Sequence, residues 1–426
     1  MQEVFSLYVK YLGLFLDTAW IWMPVILAVI FFESWMYYIQ RYYWQKLDWV
    51  LLEIKPPRDI ERTPKTMEQI FAGFWGSYGT ISTKYEKYVK GVLQDYFSVE
   101  LVGSGGEAHF YIRALRKYRD LVEAQVYSQY PQAEIKEVSD YTQSVPADIP
   151  NKKWDLWGCV LKLANKDYYP LRTYVHLIDV TKNDQPFIDP LAGLMEIFGK
   201  LRLGENIWFQ ILFRPAADDW QKKAKELADK LLGKKAPAKK EGVLGQDIRT
   251  WKEAFIGVFY EFFFDKPAPS NKKESKEEPY SLAQYLSPGE KEVIQGIEEK
   301  ASKKGYECKI QWAYIAKKEV YSATNVSAVM GVMNQFSNLN MNSLKPIPET
   351  VTSRAYYLFT AQRKFYKKRV MMRLLRARSF WEKGYILNIE ELASLYHFPT
   401  ASVKAPVTPY IEIKKAEAPL NLPVEK

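Results

Sequence analysis

The stretch from Thr18 to Phe32, TAWIWMPVILAVIFF, carries no charged residue. Continued as a helix through Ser34 to Gln40, it exceeds the roughly twenty residues that a ~30 Å hydrocarbon core requires. Trp20 and Trp22 stand near one end, and Trp35, Tyr37 and Tyr38, followed by Tyr42, Tyr43 and Trp44, crowd the other. Such rings favour the headgroup level on either side of a bilayer. Pro24 is tolerable in a helix of this kind. Residues 1–45 are therefore expected to form a membrane anchor, a transmembrane helix whose uncharged run is bracketed by Asp17 and Glu33. The residues that close the apolar run, Ile30 to Phe32, and Glu33 after it are all large, so a cleaved signal peptide is not expected. Arg41, Lys46, Lys55 and Arg58 follow the run against Lys10 before it. The positive-inside rule then predicts a single pass of the inner (cytoplasmic) membrane, with the N-terminus outside and the body in the cytoplasm.

The rest of the chain is long enough for two or three domains, and 47% of all residues are hydrophobic, enough for sizeable cores. A net charge of +10 and a pI near 9.1 favour an anionic neighbour: lipid, nucleic acid or an acidic protein face. The two cysteines, Cys159 and Cys308, lie far apart in strand-like runs and are expected to pack as small apolar residues. The three histidines, His109, His176 and His397, make no spaced ligand set, so no metal or cofactor is expected.

Periodicity predicts an α+β protein: the transmembrane helix, then successive small α/β sandwich (ferredoxin-like) units. The first unit, 46–145, has a strand over Leu47 to Ile54 and a helix with Met67, Ile70, Phe71, Phe74 and Trp75 on one face. Strands Phe97 to Val102 and Ala108 to Arg113 then flank the turn Gly103 to Gly106, and a helix over Leu115 to Tyr130 precedes a strand over Ala133 to Val138. The second unit, 151–233, pairs Trp154 to Leu163 with Thr173 to Val180, then has a helix over Pro190 to Leu201, a strand over Ile207 to Phe213 and a helix over Asp218 to Leu232. The third, 281–384, opens on a capping box at Ser287 and Glu290, followed by a strand over Tyr306 to Ile315 and a helix over Glu319 to Phe336. The residue-level match between units is too weak to read as a repeat. A short helix capped by Asn388 and Glu391, with Leu392, Leu395 and Tyr396 inward, and a proline-rich tail occupy 385–426.

Two segments look like contact surfaces. Within the lysine- and proline-rich linkers of 234–280, Trp251, Phe255, Phe259 and Phe262 recur at helical spacing, which fits either docking on a neighbouring domain or an in-plane membrane helix. The helix over Ala355 to Arg378 carries Arg363, Lys364, Lys367, Lys368, Arg369, Arg373, Arg376 and Arg378 without an acid. It could meet an acidic protein or lipid surface, contact a nucleic-acid backbone, or simply be solvated.

No sequence pattern supplies catalysis. The Gly103 to Gly106 loop precedes a strand rather than a helix, and no P-loop, nucleophile elbow, metalloprotease helix, zinc spacing or kinase signature occurs. A P-loop ATPase is excluded, and the chain is not expected to be an enzyme.

The run LNIEELASLYHFP, Leu387 to Pro399, resembles the segment preceding the motor domain in type IV secretion and conjugation ATPases of the coupling-protein or HerA-helicase-like kind. WVLLEIKPPR, Trp49 to Arg58, with Met67 to Gln69 and Tyr118 to Glu123, looks like the membrane-anchored N-terminal region of such proteins in small-genome bacteria. The resemblance implies a membrane platform for DNA or protein transfer. The ATPase domain is missing, so it further implies a separate P-loop ATPase or secretion-system subunits as partners. The expectation is a non-catalytic, membrane-anchored assembly or docking component, forming an oligomer, with a membrane-tethered nucleic-acid-binding protein as the alternative.

Overall fold

The computed structural model describes residues 17–57, 63–79, 83–177, 189–232, 286–380 and 383–400. Nine described strands form one antiparallel sheet. Its long path runs β4 (Glu134–Glu137), β1 (Trp49–Lys55), β3 (Glu107–Leu115), β2 (Phe97–Ser104), β6 (Glu205–Pro215), β7 (Gly305–Lys317), β5 (Trp154–Leu163) and β8 (Leu344–Pro346). A last strand, β9 (Tyr385–Asn388), takes the β7 edge from Gly305 to Cys308, beyond the stretch that β5 covers.

This order is palindromic about the β2–β6 seam. In the first half, α2 (Lys65–Phe74) joins β1 to β2 and α3 (Arg119–Gln129) joins β3 to β4; in the second, α4 (Ala192–Gly199) joins β5 to β6 and α7 (Ala323–Met333) joins β7 to β8. Both halves thus run strand, helix, strand, strand, helix, strand, with spatial order 4-1-3-2. The second half carries an insertion between its middle strands, in which α5 (Asp219–Leu231) and α6 (Pro288–Ser302) pack through Trp220, Ala224, Ala228, Ile294 and Ile297. The seam pairs Phe97 with Phe213 through to Ser104 with Asn206.

Strand side chains alternate between faces, and the two faces have different covers. One receives Val50, Leu52, Val99, Leu101, Phe209, Ile211, Ile310 and Trp312; it is covered by α2, α3, α4, α7 and α9 (Ile389–Leu395). The other receives Leu51, Val102, Trp208, Ala313 and Ile315, covered by α8 (Thr360–Ala377) and the 138–150 connection, with Val145, Ile149, Met371, Met372 and Leu375. β6 and β7 lie in the middle and are buried on both faces, which is why apolar residues occupy both of their alternating sets. The capping boxes form as the sequence predicts: Ser287 and Glu290 start α6, and Asn388 and Glu391 start α9.

Three expectations change in detail. The stretches 46–145, 151–233 and 281–384 do not each close a sheet of their own, because β6 pairs with both β2 and β7. Tyr174–Leu177 is a 3-10 turn rather than part of a strand; Thr173 and His176 share a side-chain hydrogen bond of 3.0 Å that holds the backbone locally. The short C-terminal helix also belongs to the body, since β9 joins the sheet and Leu392, Leu395 and Tyr396 lie in the main core.

Helix α1 (Ala19–Gln45) stands apart from this body. Its Met23–Gln45 stretch is long and apolar enough to cross a membrane, and only 6% of the apolar window is buried. Its final turns are fastened: Trp35 donates to the Tyr88 carbonyl at 3.0 Å, and Trp44 donates to the Tyr96 hydroxyl at 3.0 Å.

Candidate functional site

The basic helix and the foot of α1 converge on the same place. α8 is built from strong helix formers, Ala, Gln, Arg, Lys, Met and Leu, and seats Met371, Met372 and Leu375 on the sheet. Gly158 admits it: a Cβ there would lie 2.9 Å from Met371 Cγ. The helix stops at Arg378, whose φ of 47° is left-handed. Before it, Tyr357 and Phe359 also have positive φ, and the chain makes a hook in which Tyr357, Leu358 and Phe359 are 90%, 78% and 72% exposed. Phe365 and Tyr366 continue this exposed aromatic surface into the first turns of α8.

The cations of α8 divide into two groups. Arg378 is fully buried and donates to both carboxylate oxygens of Glu100, at 2.6 and 3.0 Å, and to Asp140. Burial opposes its charge, but Glu100, Tyr141 and Asp140 together outweigh it and raise its pKa well above the usual arginine value. Arg378 therefore holds the interior together and does not face a partner, contrary to the sequence expectation. Arg376 donates to the carbonyls of Thr142 and Val145, and Lys368 pairs with Asp155 at 2.6 Å. The other group is partly turned outward, with Arg363 exposed and Lys367 and Arg369 half-buried. Arg363 and Lys367 donate to the Tyr356 and Arg354 carbonyls, Arg369 lies 5.1 Å over the Phe365 ring, and Lys364 and Arg373 are exposed.

Between α1 and α8 lies a cavity of about 570 Å³. α1 contributes Tyr37, Arg41 and Trp44; α8 contributes Tyr366, Val370, Arg373 and Leu374; β6 and β7 contribute Arg214 and Lys309. Among the described residues, no carboxylate lines it. Arg214 is steered by a salt bridge to Glu307 at 2.8 Å and stacks 4.6 Å from the Phe380 ring. Sequence reading singled out Arg373 but missed Arg41, Arg214 and Lys309 as its companions. The available signal was a cation set among the apolar residues of each of two strands, Arg214 in ILFRP and Lys309 in CKIQW.

Of the residues read as membrane-facing, Trp20, Trp35, Tyr37 and Tyr38 are exposed on α1, and Trp22 and Pro24 fall within the same helix. Trp251, Phe255, Phe259 and Phe262 lie outside the described residues. Among the described residues, no group of three or more His, Cys, Asp or Glu could hold a metal ion. Cys159 and Cys308 are free and buried, and burial pushes the Cys159 thiol up to about 12.

Residues 45–409 match the model of a family described as a domain of unknown function, DUF8128. That stretch is most of the chain, and the chain belongs to this family. No curated protein matches it.

Proposed function

We propose that this chain is a non-catalytic, membrane-anchored docking component. α1 crosses the cytoplasmic membrane once with its N-terminus outside, and the body hangs beneath it as two ferredoxin-like units joined edge to edge. The observation that carries this reading is the contrast along α1: an apolar stretch left almost bare, and a foot fixed to the body through Trp35 and Trp44. A core helix of a soluble protein would be covered. Arg41 and Lys46 beyond the span, against Lys10 before it, support the orientation. The strand order 4-1-3-2 in each half supports the ferredoxin-like description.

The partner is a separate P-loop ATPase or other subunit of a type IV secretion or conjugation-like system, and the platform is oligomeric. The resemblance of Leu387 to Pro399 and of Trp49 to Arg58 supports that partner class. The outward cations and aromatic rings at the start of α8 also suit single-stranded nucleic acid, which stacks on rings while its phosphates meet arginine.

The test is a pull-down from detergent-solubilised native membranes, comparing the intact chain with one ending at Thr400. Ending it at Gly384 would remove α9 and part of the main core. Recovery of a P-loop ATPase or secretion subunits with the intact chain supports the docking reading, and their loss on truncation assigns the contact to 401–426. Recovery of nuclease-sensitive nucleic acid instead, with affinity falling linearly in log salt, favours the tethered nucleic-acid binder.

A further inference from the structure

We propose that the cavity between α1 and α8 holds the headgroup of an anionic glycerophospholipid, gripping a lipid of the leaflet that α1 leaves. This rests on α1 being a membrane span. The cavity's charge is the first argument. Arg41, Arg214, Lys309 and Arg373 reach it from four different elements, and among the described residues no carboxylate lines it. Glu307, which pairs with Arg214, approaches from outside the lining. A phosphodiester would meet guanidinium groups able to bind it through paired hydrogen bonds.

Place is the second argument. Tyr37, Arg41 and Trp44 belong to the last turns of the same helix whose earlier turns are bare and apolar. In the membrane reading these residues sit at headgroup depth, so a lipid reaches the cavity without leaving the bilayer. The third argument is the apolar remainder of the wall. Leu93, Val370, Leu374 and Phe380 would have no role toward a small hydrophilic phosphate, but suit the glycerol and the first methylenes of a lipid. Tyr366 of the wall is itself exposed, and Tyr357, Phe359 and Lys364 are exposed where α8 begins, as aromatic and basic groups are at a lipid interface.

The measurement is native mass spectrometry of the full chain released from detergent micelles after incubation with phosphatidylglycerol, phosphatidylcholine or glycerol 1-phosphate. The variants are Arg41→Ala with Arg373→Ala, the charge reversal Arg373→Glu, and Lys222→Ala on the remote α5 surface as control. Both pocket positions are exposed, so the fold should survive, and a thermal melt checks it. The expected result is retention of one phosphatidylglycerol at roughly tenfold preference over phosphatidylcholine, the effect of about one charge-assisted contact. That preference should vanish in both pocket variants and persist in Lys222→Ala. Equal retention of the two lipids, or a preference unchanged in the variants, overturns the proposal. Glycerol 1-phosphate binding as tightly, with the same sensitivity to the variants, makes the ligand a soluble phosphate and overturns the lipid assignment. Alkaline carbonate extraction of native membranes separates the two readings. A chain that washes off removes the anchor and the lipid site together, whereas one that stays without lipid preference removes the site alone.

Discussion

Arg378 and Glu100, 278 residues apart, meet as a fork on a carboxylate with both side chains at 0% exposure. The pair ties the end of α8 to β2 in the first half of the sheet. Ser98, Tyr141 and Asp140 complete the shell: Ser98 and Tyr141 donate to Glu100, and Asp140 accepts from Arg378. Removing one partner leaves the other as an uncompensated buried charge. Arg378→Ala should therefore cost about 3–5 kcal/mol, and Arg378→Lys should recover only part, since an ammonium cannot make the fork. Urea unfolding of the detergent-solubilised chain measures both; a change within 1 kcal/mol for Arg378→Ala, a threshold of roughly one hydrogen bond, would mean the pair is dispensable.

A second buried pair joins the insertion to the C-terminal helix. Lys300 on α6 lies 3.0 Å from Glu391 on α9, with both side chains at 0% exposure, and its ammonium also donates to the Ile386 carbonyl. Glu391 accepts from the amides of Leu171 and Asn388 as well. Lys300→Met and Glu391→Gln should each destabilise strongly, whereas the double variant should cost less than their sum by about 2 kcal/mol, because no lone charge remains. A double-mutant cycle by urea unfolding reads this coupling, and strict additivity would contradict it.

Helices and strands were legible in the sequence wherever one face is apolar at a fixed period, as with Met67, Ile70, Phe71 and Phe74 of α2, and where a cap is spelled out, as at Ser287 and Asn388. The palindrome was not legible, for a physical reason. α5 and α6 are inserted between β6 and β7, so two adjacent strands fall in stretches that read as separate units. The β2–β6 seam is equally silent, because register between distant strands depends on both partners at once. The site shows the same limit. Arg373 and Arg378 look alike in sequence, yet one is exposed at a cavity and the other is enclosed by Glu100 and Asp140 from far up the chain.

Acid should weaken the body through a defined set of carboxylates. At Asp140 and Asp189 burial alone would raise the pKa, but Arg378 with Thr142, and His397 with the Thr400 and Leu191 amides, together outweigh it and hold the carboxyl below the usual range. At Glu53 the hydrogen bond from His109 leads the lowering. A folded-state pKa below the unfolded one gives stability that is present above about pH 4 and lost as pH falls through the lower folded value. The melting temperature should therefore hold between about pH 7 and pH 5 and fall below about pH 4, with a lower starting value and a shallower fall in Asp189→Asn. A fall of unchanged depth in that variant would exclude Asp189 from the acid response.

Gly91 lies where the apolar helix α1 is seated on the body. Its φ of +65° is left-handed, and a Cβ there would lie 2.6 Å from the Ile39 carbonyl carbon of α1. It ends the turn Glu86–Lys90, from which Tyr88 accepts the Trp35 indole and touches the Phe32 ring at 5.9 Å. Gly91→Ala must either strain the backbone by about 1–2 kcal/mol or push the 83–90 segment off α1. Displacement is the expected course, because the obstructing atoms are backbone and cannot move aside as a flexible side chain could. Hydrogen exchange across 83–90 should then accelerate, while exchange in β2 and β6 stays unchanged. Gly289→Ala, whose Cβ meets nothing in the first turn of α6, is the matched control and should be neutral or stabilising by up to about 1 kcal/mol. If the two variants exchange alike across 83–90, the α1 contact does not depend on Gly91.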